Sequence, residues 1–271
     1  MILSVFDMFN YQFIVYALIV GISISICASL LGVTMVLKKN SMIGDGLSHV
    51  AFGAMAIAVS LNWAPILFSM PIVILSSFLI LKLTEKSKIH GDSAIALIAS
   101  SSLAIGYIVI HSTGTNIDIE SYLYGSIYGI TTTEMILSVS ISFFVILIFV
   151  LFYNRIFAIT FDENFLKSTG SRTGIYNIII SILCSITVVL GMKLTGALLI
   201  SSLIIFPTIS ARQVFKTYKS VVIGSVVISV LCFLTGIIIN WYVDWPIGST
   251  IVVVNLIVLL VMVLIGKITK R

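Results

Sequence analysis

Two residues in an apolar stretch carry groups able to hold a cation. In MIGDGLSHVAFGAMAIA, Met42 to Ala58, an aspartate and a histidine stand four positions apart, Asp45 and His49. On a helix such positions lie one above the other, with Cβ atoms about 6 Å apart. A carboxylate and an imidazole so placed can share one ion. Imidazole suits zinc and related ions, and carboxylate oxygen suits zinc and manganese. Two ligands leave the shell open, because zinc takes about four. Two copies of the chain meeting on a two-fold axis would supply two carboxylates and two imidazoles. Spacing alone also allows an ion pair, or Asp45 capping the helix with His49 packed nearby.

The elements that position this pair must be membrane helices. Of 271 residues, 59% are hydrophobic and 9% charged, whereas a soluble domain is about 25% charged. The apolar runs are long and do not alternate, so helices are expected rather than barrel strands. Candidate spans are 13–37, 43–61, 64–82, 93–112, 134–153, 175–192, 195–210, 220–240 and 247–266. The expected fold is all-α and polytopic, with eight to nine transmembrane helices in a single transmembrane domain, 1–271. The first run lacks a basic leader and is long, so it reads as a retained helix rather than a secretory signal. If every span crosses, 14 of the 15 Lys and Arg residues fall on one side and only Lys193 on the other. That bias places the N-terminus outside and the C-terminus inside, with nine crossings; spans two and seven are the short, polar ones.

Other features bear less chemistry. The net charge of +5 belongs to cytoplasmic loops, and no Lys/Arg-rich run points to nucleic acid. Cys27, Cys184 and Cys232 stand singly in apolar runs, as small buried hydrophobes do. His90 falls in a basic inside loop and His111 at an outer span end. No G-x-x-x-x-G-K-[ST] phosphate loop is present. The segment 113–133 carries Tyr122, Tyr124 and Tyr128 and a GxxxG match, Gly125 to Gly129, which fits an interfacial or re-entrant helix. The inside loop 155–174 places Phe161, Phe165 and Leu166 at helical spacing among charges. Asp162 and Glu163 near its start and Lys167 later suit the dipole of a short helix able to sit in a partner's groove. Pro207 removes a hydrogen bond from span seven and is expected to kink or break it, with Gly191 and Gly196 bracketing the turn before it.

KKNSMIGDGLSHVAFGAMAIA resembles the signature after the first helix of the ABC-type zinc/manganese uptake permeases. Lys38, Lys39, Ser41, Gly44, Asp45, Leu47, Ser48 and His49 match it. Further segments resemble the family in order: GDSAIALIASSSLAIGYIVI (91–110), with Ala96 where Gly is usual; YLYGSIYGI (122–130); FDENFLKSTG (161–170), with Leu166 in place of a small residue; GALLISSLIIFPTISAR (196–212); and DWPIGSTIVV (244–253).

The resemblance implies a homodimer docked on two cytoplasmic ABC ATPase subunits. An extracellular metal-binding protein would deliver the ion, and the fold would be that of the cobalamin and siderophore importers. It implies Asp45 and His49 as ligands of a transported Zn2+ or Mn2+, with no tightly bound cofactor and no catalytic residue in this chain. Zinc is the favoured cargo. It implies a coupling helix at Phe161, Asp162, Glu163, Phe165, Leu166 and Gly170, in a bacterial cell membrane. Protons compete with metal for an imidazole, so uptake is expected to fall below about pH 6. The competing expectations are a siderophore or cobalamin permease, which needs a wide, mostly uncharged cavity, and an ion-coupled carrier, which often shows an internal repeat. None is seen in the sequence.

Overall fold

The computed structural model describes residues 5–86, 91–114, 125, 130–243 and 245–269. The tyrosines of the 113–133 segment, its Gly129, His90, and Lys88, Lys270 and Arg271 lie outside them. After a short 3-10 turn, Val5–Asn10, the chain forms α1 (Gln12–Leu37), α2 (Met42–Ser60), α3 (Pro65–Lys86) and α4 (Gly91–Thr113). Then come α5 (Thr132–Leu151), α6 (Tyr153–Phe161), α7 (Glu163–Ser168), α8 (Thr173–Thr195), α9 (Ala197–Val214), α10 (Tyr218–Val243) and α11 (Ile247–Ile268).

Burial separates inner helices from outer ones. In the apolar stretches of α1, α2 and α8, 67%, 72% and 61% of residues are buried, against 22% in α5 and 17% in α11. The outer pair leave large apolar side chains such as Phe143, Leu151, Ile257 and Leu264 exposed, as helices facing lipid do. The most buried span, α2, is also the least apolar of the eight candidate spans found among the described residues. A helix that keeps polar side chains at this depth has to turn them toward protein or a cavity.

Small residues bring the inner helices together. Gly46 lies against Ile95, and Gly53 lies against the backbone carbonyl of Ser102. Each partner is seven residues further along its own helix, so α2 and α4 run parallel and in step. Gly32 of α1 similarly meets the carbonyl of Ile204 in α9. Side chains could not interpose there, and packing of this kind holds helices together where lipid supplies no hydrophobic drive.

The α8–α9 hairpin departs from expectation. α8 runs straight through Gly191 to Thr195, and the reversal falls at Gly196 alone, with φ 83°. Gly191 meets Ile24, near the midpoint of α1, and Ile200. The turn is therefore only about 8 Å beyond that midpoint, at 1.5 Å per residue. α9 carries the chain back to the basic end, where Gln213 meets Gly266 of α11. It is continuous through Pro207, so the expected break is not there. Beside the proline, Thr208 Oγ1 donates to the Ile204 carbonyl at 3.3 Å and pairs with Ser225 Oγ at 3.2 Å.

Candidate metal site

A tight turn leads from α1 into α2. Lys39 takes the left-handed conformation, φ 59°, and the Asn40 N–H donates to the Met35 carbonyl at 2.9 Å. Ser41 is the N-cap residue, and its hydroxyl makes no capping bond. Asp45 sits in the first turn beyond it, so the capping role open from spacing does not apply. Its partner stands where helical geometry requires. His49 Nε2 lies 3.8 Å from Asp45 Oδ2, with the two side chains 22% and 35% exposed. That separation is too long for a hydrogen bond. Ligands about 2.1 Å from a tetrahedral ion stand roughly 3.4 Å apart, a separation a few tenths of an ångström shorter than this one. His49 Nδ1 is buried and has no hydrogen-bond partner among the described residues.

The pair opens on a cavity of about 330 Å3 between α2 and α4, lined by Met42, Asp45, Gly46, His49, Asp92, Ile95, Ala96, Ala99, Ser100 and Leu103. Asp92 was not among the residues singled out from sequence. By the register of Gly46 against Ile95, it lies about half a turn nearer the basic end than Asp45. The signal that could have found it is a repeated dipeptide: Gly44-Asp45 and Gly91-Asp92 each stand near the start of one of two parallel helices. Among the described residues no three His, Cys, Asp or Glu side chains converge closely enough to hold an ion. Within one copy, Asp45 and His49 stand together as a pair only.

The loop expected to couple folds as two helices rather than one. The chain breaks at Asp162 (φ −147°, ψ 89°), whose carboxylate accepts the Phe165 N–H at 2.8 Å and caps α7. Phe161 therefore ends α6 while Phe165 and Leu166 belong to α7, so the three do not share one helical face. Phe161 and Phe165 are 63% and 64% exposed, and Leu166 packs against the core. Phe161 also stacks on Phe157, with ring centres 5.0 Å apart. Gly170, at φ 79°, ends the segment, and the Ser171 N–H donates to the Leu166 carbonyl at 3.1 Å.

Glu163 is tied into the body of the protein. Its carboxylate takes Lys38 Nζ at 3.0 Å and Lys167 Nζ at 2.9 Å and accepts Asn177 Nδ2 at 3.0 Å. Burial pushes this carboxyl up, but those bonds and the Lys38 charge outweigh it and hold it down at about 2.

A family model for the ABC 3 transport family matches residues 10–266. The chain belongs to that family. Among its relatives, the manganese import system permease protein ScaB of Streptococcus gordonii is 26% identical, covering 93% of this chain and 91% of its own length. The high-affinity zinc uptake system membrane protein ZnuB of Haemophilus influenzae is 26% identical, covering 90% and 94%. The structure of PsaBC from Streptococcus pneumoniae in complex with Fab matches with a TM-score of 0.86 and 24% identity over 96% of this chain and 95% of that one. The all-helical fold expected from sequence is thus that of an ABC permease. With eight helices long and apolar enough to cross among the described residues, this ABC 3 chain is a multi-pass protein of the bacterial plasma membrane.

Proposed function

We propose that this chain is the permease subunit of an ATP-driven importer that moves a divalent transition-metal ion, zinc first and manganese next, through a homodimer. The observation that carries the reading is the Asp45–His49 half-site, a carboxylate and an imidazole 3.8 Å apart at the mouth of a cavity on the α2–α4 face. Two half-sites around a two-fold axis would give two oxygens and two nitrogens. The two carboxylates would offset the ion's charge in a region where an uncompensated ion is costly. Conduction requires that such coordination be transient. Asp92 would keep the inner end of the cavity attractive to a cation.

Two ABC ATPase subunits would bind the basic face, with the exposed Phe161 and Phe165 and the capped helix α7 as their docking surface. An extracellular metal-binding protein would deliver the ion. The names of the relatives support metal transport, and family membership supports an ABC partner. Asp45→Asn and His49→Ala in the complex reconstituted in vesicles test the reading. Both variants should assemble with the ATPase and lose metal uptake; near-normal uptake by either would remove the site assignment.

A further inference from the structure

Lys38 closes a ring with Glu163 and Asn177, 125 and 139 residues further along the chain. Lys38 Nζ lies 3.0 Å from Glu163 Oε2 and donates to Asn177 Oδ1 at 2.6 Å. Asn177 Nδ2 completes the ring at Glu163 Oε1, 3.0 Å away. Each member thus bonds the other two. The Lys38 side chain is only 13% exposed.

The ring's position matters more than its strength. Glu163 opens α7, and Asn177 lies in the first turns of α8. Lys38 caps the C-terminus of α1, next to the left-handed Lys39. Four residues after Lys38 α2 begins, and Asp45 stands in its first turn. α7 itself packs on its chain neighbours α6 and α8. The reach from α7 to the α1–α2 turn is made by the Lys38 side chain. A cavity of about 210 Å3 adjoins the ring, walled in part by Asn40, Ile43 and Ser181. The turn and the start of α2 therefore have open space beside them.

A partly buried ion pair is a weak stability device, since its desolvation cost rivals its attraction. What it does supply is a directional tether between α7 and the α1–α2 turn. We propose that the Lys38–Glu163–Asn177 ring is a mechanical link that hands displacement of α7 to the α1–α2 turn and so to Asp45 and His49. This rests on the reading above, in which α7 docks the ATPase and α2 holds the ion. Lys38 and Asn177 are then positioning residues, acting on the ion through α2.

The experiment compares ATP hydrolysed with metal moved by the reconstituted complex. Lys38→Met should assemble and hydrolyse ATP at the unstimulated rate, bind metal as the wild type does, and move about three- to thirtyfold less metal per ATP. Lys38→Arg should keep most of the coupling. The swap Lys38→Glu with Glu163→Lys should recover part of what each single change loses. Asn177→Leu, which removes two sides of the ring without removing a charge, should uncouple in the same direction and serves if Lys38→Met does not assemble. Unchanged metal per ATP in Lys38→Met, or in Asn177→Leu where it stands in, would overturn the link. So would a swap no better than its parts. Asp45→Asn run alongside separates the two readings: it should lose metal binding, whereas the ring variants keep it.

Discussion

Replacing Gly53 with alanine should loosen α2 from α4 and disturb the candidate site with them. A methyl carbon at Gly53 would lie 2.4 Å from the Ser102 carbonyl oxygen and 3.0 Å from its carbon. Ordinary contact begins near 3.4 Å, so the two helices would have to separate by about 1 Å along a dense seam. Both atoms belong to the backbone, so no rotamer change relieves the clash. Overpacking of this kind costs about 1–3 kcal/mol, while alanine in place of glycine in a helix returns up to about 1. The repulsion should win. Gly174, in the first turn of α8, has nothing within 4 Å of an added methyl, and there the same change should be neutral or stabilising. Thermal unfolding of the two variants in lipid nanodiscs, with metal uptake measured in parallel, reads both signs. Gly53→Ala unfolding at or above the wild-type temperature with normal uptake would refute the packing argument.

Two more predictions concern the cytoplasmic end. Asp162→Ala removes the α7 cap, should cost about 1 kcal/mol of helix stability and should reduce co-purification of the ATPase, while Asp162→Asn should retain both. Glu163, held at about 2 from an ordinary 4.5, adds stability that is fully present above pH 4.5 and disappears as pH falls toward 2. That linkage is roughly 3 kcal/mol before screening and about 1–2 after it for a carboxylate 25% exposed. The stability gap between wild type and Glu163→Gln should therefore stay constant from pH 8 to 5.5 and narrow below about pH 4.5; a gap that changes near neutrality would contradict it.

Local periodicity carried much of this fold. Asp45 and His49 share a face because i and i+4 always do, and the apolar runs become helices because lipid leaves the backbone no other partner. Features that depend on pairing between distant segments were not legible in the same way. Asp92 joins the cavity only because α2 and α4 run parallel in one register, set by Gly46 and Gly53. The ring through Lys38 joins residues 125 and 139 positions apart. The break between α6 and α7 was missed for a different reason. Asp162 reads equally well as a charge favouring a helix dipole and as a cap that starts a new helix, and only the backbone conformation chooses. Pro207 sits inside a continuous helix rather than at a break, because a proline removes one hydrogen bond and the remaining turns can still form.

The most direct measurement is equilibrium binding of zinc and of manganese to the assembled complex in nanodiscs, with no binding protein present. One ion per pair of chains, lost in both Asp45→Asn and His49→Ala, is the expected result. An unchanged stoichiometry and affinity in either variant would contradict the claim that these two side chains hold the ion.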